Sequence, residues 1–151
     1  MIAQHILVPT DFSEYADYAL DYAIELAKIL QARLTVLYVY YLPSLALGEV
    51  SPAVLDDTLQ AMETNARQQA QKALARVLKA GIQGDSILVE GTPFQTIIDT
   101  AKDKEADLIV MGTHGRTELS HVLMGSVAEK VVRLAPCPVL VTRGTTEASD
   151  A

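Results

Sequence analysis

At 151 residues the chain has the length of one ordinary domain, and its 50% hydrophobic content supplies a sizeable core. The charged fraction of 21% is too small for a disordered chain. A net charge of −7 argues against nucleic-acid phosphates and anionic membranes as partners, local basic pockets aside.

In chain order, Ile6-Leu7-Val8 stopped by Pro9 reads as a short strand covered on both faces. In the next segment Ala16, Ala19, Leu20, Ala23, Ile24 and Ala27 recur at three- and four-residue steps, one stripe of a helix. Asp11 or Ser13 caps that helix, and Glu14 and Asp17 suit its positive end. Leu34 to Tyr40 is β-branched and aromatic, a second strand. Tyr41 to Ser51 reads as a loop, followed by a long helix from about Pro52 to Ala80 with Gly81 closing it. Ile87-Leu88-Val89 forms a third strand, and Thr92-Pro93 opens a helix through about Lys102. Leu108 to Met111 is a fourth strand, ended by Gly112. A helix from about Ser126 to Leu134 and a last strand from Pro138 to Thr142 complete the series, with a frayed polar tail over about 144–151.

Strand and helix alternate along a single domain, 1–151. The expected fold is α/β, a doubly wound five-stranded parallel sheet with helices on both faces. Ligands on such sheets bind beyond the carboxyl ends of the strands where the strand order reverses. That rule selects Pro9-Thr10-Asp11, Val39-Tyr40 and the residues after Met111.

The lone Cys137, between Pro136 and Pro138, permits no intrachain disulfide and reads as a small buried hydrophobe. His5, His114 and His121 show no metal-ligand spacing. The opening MIAQHILVPTDF lacks the basic flank of a signal peptide, and no apolar run is long enough to span a bilayer, so a cytoplasmic protein is expected.

The segment MGTHGRTELSHVLMGSVAEKVV, 111–132, carries the chemistry. Gly112 and Gly115 follow a buried strand and Gly125-Ser126 opens a helix. Glycine admits positive φ and lets backbone N–H groups approach a ligand, and a helix N-terminus adds unpaired donors and partial positive charge. Polyphosphate suits such a site. Each residue also has a plainer reading. Ser126 and Glu129 fit a capping box, Gly112 and Gly115 fit a turn, and His114 and Arg116 fit an exposed loop. No GxxxxGK[ST] and no GxGxxG after the first strand is present, which argues against a P-loop NTPase and a standard NAD enzyme.

The spacing Gly112, two residues, Gly115, nine residues, Gly125-Ser126 resembles the motif of the ATP-binding branch of the universal stress protein family. The resemblance runs through HILVPTDFSEYADYAL, ADLIVMGTHGR and CPVLVTR, and implies the Rossmann-like fold of adenine nucleotide alpha hydrolases. It implies that Asp11 sits by the adenine or ribose with Pro9 and Thr10 on the same edge, and that Val39 meets adenine through its backbone. It implies that Met111 and Gly112 flank the ribose and that His114, Gly115 and Arg116 wrap the phosphates. Gly125, Ser126 and Val127 would close on those phosphates from the helix N-terminus.

The implied cofactor is ATP with Mg²⁺, or Mn²⁺, riding on its phosphates. The implied assembly is a homodimer through the last strand around Val139–Val141, with an unidentified protein partner also open. The reading that follows is a nucleotide-dependent stress-response regulator with little or no hydrolysis. Its rivals are a slow ATPase or nucleotidyl-transfer enzyme, for which His114, Arg116 and Ser120 are the nearby candidates, and a nucleotide-independent interaction module. The segment 41–57 aligns least well with the family and shows no clear chemistry.

Overall fold

The first apolar run forms β1 (His5–Thr10), and α1 (Glu14–Leu30) carries the chain back along the sheet to β2 (Arg33–Tyr40). The long α2 (Pro52–Lys79) leads to β3 (Gly84–Glu90), and α3 (Pro93–Asp103) to β4 (Leu108–Gly112). Then α4 (Ser126–Leu134) precedes β5 (Val139–Thr142). The computed structural model describes residues 2–40, 51–114 and 124–144. The loop expected over Tyr41–Ser51 falls outside them as far as residue 50, as does the tail beyond Gly144.

The five strands pair in the order β3-β2-β1-β4-β5, every pair parallel, as the alternation of strand and helix requires. Side chains alternate across the sheet and build two cores. On one face Ile6, Val8, Leu34, Val36 and Val110 pack against Ala19, Leu20, Ala23 and Ala27 of α1 and Ala73 and Val77 of α2. On the other, Leu7, Leu37, Ile109 and Met111 meet Ile97 and Ala101 of α3 and Ala128 and Val131 of α4. Cys137 packs on this second core but is only half-buried, less than a core hydrophobe would be. Burial raises its thiol pKa, which keeps it protonated.

The helix ends sort the expected caps. Ser13, not Asp11, caps α1, accepting from the Ala16 N–H at 3.2 Å. Asp11 Oδ1 instead accepts from the Ser13 N–H at 3.0 Å and folds the preceding turn. Gly81, at φ +80°, ends α2 in the left-handed conformation that glycine tolerates. The capping box expected at Ser126 is not formed. Gly125 is the N-cap at φ −70°, Ser126 is the first helical residue, and no side chain caps α4.

At the amino-terminal edge of the sheet a buried polar chain closes the fold. His5 Nδ1 lies 3.0 Å from the Lys104 carbonyl, and Nε2 lies 2.8 Å from Thr35 Oγ1. Thr35 in turn donates to Asp85 Oδ1 at 2.6 Å. Burial first, then the Arg33 charge, holds the His5 imidazole below its ordinary pKa.

Candidate functional site

The strand order reverses between β1 and β4. There the ladder comprises only Ile6↔Leu108 and Leu7↔Ile109, whereas β1 stays paired with β2 as far as Thr10↔Tyr38. Beyond Ile109, β4 keeps company with β5 through Gly112↔Thr142. The carboxyl ends of β1 and β4 therefore part, and a cleft of about 270 Å³ opens between them.

The cleft has two chemical halves. Leu37, Val39, Pro93, Ile97, Met111 and Ala128 give an apolar wall, while Thr10, Asp11, Thr113 and His114 supply polar groups. Of the residues expected from the sequence, Pro9, Thr10, Asp11, Val39, Met111, Gly112, His114, Gly125 and Val127 line this one cavity. Ser126 does not line it and stands at the first position of α4. Gly115, Arg116 and Ser120 lie outside the described residues.

The lining residues missed by sequence reasoning come from the helices and from one strand face. Leu37 shares a face with Val39 by the two-residue alternation of β2, a signal that was readable. Pro93 and Ile97 are four apart on α3, and Ala16 and Ala128 belong to the apolar stripes of α1 and α4. Periodicity identified Ala16 as buried, but only the tertiary fold brings it to the cleft.

Thr113 was the main omission. It is 5% exposed, its N–H donates to Thr142 O at 3.0 Å, and its carbonyl accepts the Gly125 N–H at 2.7 Å. Its Oγ1 lies 2.9 Å from His114 Nδ1. One residue thus joins the edge strand, the start of α4 and the cleft histidine. The Gly125 N–H is spent on this contact, so it is the amides just inside α4 that lack a carbonyl partner within the helix. They bring the positive end of the helix dipole to the Gly125–Val127 side of the cleft.

Gly112 acts by close approach rather than by positive φ, which neither it nor Gly125 adopts. A Cβ on Gly112 would stand 3.0 Å from the Tyr15 carbonyl oxygen, so α1 can pass this close only because the side chain is missing. Phe12 carries the strain of the loop instead. It sits at φ 63°, its N–H donates to Thr10 Oγ1 at 3.0 Å, and its ring stacks on Tyr38 at 4.7 Å.

The arrangement is a largely apolar cavity with a helix N-terminus beside it, on a sheet edge where doubly wound folds take ligands. Comparison with known proteins agrees with that architecture. The sequence model of the universal stress protein family matches residues 3–143. The chain belongs to the universal stress protein family.

Universal stress protein MJ0531 of Methanocaldococcus jannaschii is 37% identical over 145 residues, covering 91% of this chain and 81% of that protein. The solved structure of MJ0577, a protein of Methanocaldococcus jannaschii, superposes with a TM-score of 0.84 at 28% identity, over 97% of this chain and 99% of that one. The universal stress protein from Archaeoglobus fulgidus, solved in complex with dAMP, gives a TM-score of 0.62 at 28% identity, over 93% and 98% of the two chains.

Proposed function

We propose that this universal stress protein binds an adenine nucleotide, ATP foremost, in the cleft between β1 and β4 and uses its occupancy as a regulatory signal in a stress response. The observation that carries the reading is the joining of the apolar wall around Leu37, Val39 and Met111 to the α4 N-terminus in one cavity. Adenine is flat and largely apolar on its faces, and its sugar and phosphates need the polar groups at the other end.

The volume limits the pose. About 270 Å³ lies just under the usual span of roughly 300–1,000 Å³ for ligand pockets. A nucleoside fills it, and a polyphosphate chain extends past the rim towards the start of α4. A related universal stress protein has been solved in complex with dAMP, which supports an adenine nucleotide as the class of ligand. Beyond Thr10↔Tyr38, β2 is paired only on its β3 side, which leaves an open backbone edge by Val39 for a base.

In this reading Asp11, Thr10 and Pro9 face the sugar side, and His114 with the first amides of α4 faces the phosphates. Gly115 and Arg116 would join them there. Among the described residues no group of three or more His, Cys, Asp or Glu side chains is placed to hold a metal. A Mg²⁺ or Mn²⁺ ion arriving with ATP would therefore be held by phosphate oxygens and water. Beyond supplying charge neutralisation, no chemistry is assigned to it.

The assembly we infer is a homodimer through β5. That strand is an edge of the sheet, and Val139, Leu140 and Val141 are all only half-buried. An unpaired apolar edge is a liability that a two-fold copy removes. No helix of the described residues is long and apolar enough to cross a membrane.

Calorimetric titration of nucleotide-free protein with Mg-ATP and with AMP tests the reading. Micromolar binding is expected, about −8 kcal/mol. It is abolished in Val39→Trp, whose indole fills the apolar half of the cleft while respecting strand propensity. A wild-type protein shown to be free of nucleotide by its absorbance, yet silent to both ligands at two temperatures, overturns it.

A further inference from the structure

Tyr15, the second residue of α1, is gripped from three directions by elements distant in sequence. The end of β4 passes so close that a Cβ on Gly112 would lie 3.0 Å from the Tyr15 carbonyl oxygen and 3.2 Å from its Cβ. Just past β5, a Cβ on Gly144 would lie 2.8 Å from both Cδ1 and Cε1 of the Tyr15 ring. On the cleft side the ring meets His114, with centroids 5.3 Å apart and planes inclined by 51°. Gly112 therefore sets the backbone and Cβ of Tyr15 and Gly144 the space beside its ring, and the ring leans on a residue of the cleft wall.

His114 is held from a second side by Thr113 Oγ1, at 2.9 Å from Nδ1. Thr113 is itself tied to Thr142 at the end of β5. These two supports of the His114 ring thus lead to the same edge strand, one through a hydrogen-bonded backbone and one through Tyr15 and Gly144.

We propose that Tyr15 is the positioning residue for His114, setting the imidazole orientation at the polar half of the cleft and relaying to it the placement of the chain that leaves β5. The relay works by packing. A Cβ at Gly144 would collide with the ring, and a ring pushed from that side would carry the imidazole with it. Part of this inference rests on the nucleotide reading, since it assigns His114 to the phosphate end. The packing relay itself does not.

Three variants test it. Tyr15→Phe keeps the ring, Tyr15→Leu removes it, and Gly144→Ala pushes it from the far side. The first readout is the NMR signal of the His114 ring, assigned by its loss in His114→Gln. Tyr15→Leu and Gly144→Ala are expected to move that signal and Tyr15→Phe to leave it in place. In the Tyr15→Leu background Gly144→Ala should have a much smaller effect, limited to what the strain of alanine at φ +102° passes through Thr142 and Thr113, the non-additivity that a relay demands. The second readout is Mg-ATP affinity, expected to fall about three- to tenfold in Tyr15→Leu and to stay at the wild-type level in Tyr15→Phe.

An unmoved His114 signal in Tyr15→Leu overturns the proposal, as does an equal Gly144→Ala shift in both backgrounds. A role confined to stability would lower the melting temperature of Tyr15→Leu without moving either readout, and this too overturns it. If wild-type protein binds no nucleotide, the functional reading falls while the His114 signal still decides the role of Tyr15.

Discussion

Replacing Gly112 by alanine sets two opposed effects against each other. Gly112 has no positive φ, so alanine can adopt its backbone conformation, and the loss of unfolded-state freedom favours the variant by about 0.4–1 kcal/mol. Against this, the added Cβ lies 3.0 Å from the Tyr15 carbonyl oxygen and 3.2 Å from its carbonyl carbon and Cβ. The nearest atoms belong to the first turn of a helix that cannot retreat without disturbing the Ser13 cap. Overpacking of this kind costs about 1–3 kcal/mol. The two break even at worst and the sterics win elsewhere, by up to about 2.6 kcal/mol net.

At about 2–4 °C per kcal/mol for a chain of this size, the melting temperature should fall, by up to about 10 °C. Two other glycines calibrate the argument. At Gly84 a Cβ would stand 2.6 Å from the Leu34 carbonyl oxygen, inside the β2–β3 ladder, and 2.8 Å from Val77 Cγ1. Its alanine variant should be the least stable of the three. At Gly81 nothing lies within 4 Å, and the cost is only that of φ +80° in an alanine, about 1–2 kcal/mol. Scanning calorimetry of the three variants gives the order directly. A Gly112→Ala protein more stable than wild type, or Gly81→Ala melting below Gly84→Ala, refutes the reasoning.

Because the folded-state pKa of His5 is depressed, its contribution to stability is complete above its ordinary value of 6.5 and is lost as pH falls through that value towards the lower folded one. Urea midpoints should therefore drop between about pH 7.5 and pH 5.5. The drop should shrink in His5→Gln, and an identical slope in that variant counts against the assignment. The Cys137 thiol, its pKa raised by burial, should react with a thiol reagent at pH 8 far more slowly in the native protein than in denaturant. Equal rates would show that the half-buried site does not protect it. Gln31 and Glu105 are exposed non-glycine residues at φ 56° and 52° after helix ends. Gln31→Gly and Glu105→Gly should each add about 0.5–1 kcal/mol, and melting temperatures at or below wild type would contradict that gain.

Much of the fold was legible because its signals are local. The stripe Ala16, Ala19, Leu20, Ala23, Ile24 and Ala27 is the buried face of α1, residue for residue. The interval Ser126–Leu134 is α4 as expected. What failed depended on distant partners. The S-x-x-E pattern at Ser126 suggested a capping box, but the bond from the Gly125 N–H to Thr113 O makes Gly125 the cap. Gly112, read as a turn or ligand glycine, does line the cleft, but its close approach to Tyr15 is a contact that no pattern near Gly112 could reveal. The positive φ at Phe12 was likewise hidden, since a bulky residue is not where such strain is sought.

The cleft itself follows from an imbalance in strand pairing. If the β1–β4 ladder continued to Thr10, the carboxyl ends would be sealed by main-chain bonds and Met111 would be ordinary core. It stops at Leu7↔Ile109, and β4 spends its remaining pairing capacity on β5 up to Gly112↔Thr142, with the Thr113 N–H adding one more bond to Thr142. The short edge strand thus draws β4 away from β1 and so shapes the cavity, although β5 supplies none of the residues that line it. A strand with both duties links them physically. In the proposed reading, a copy paired with the outer edge of β5 and a nucleotide between β1 and β4 would bear on the same pair of strands from opposite sides.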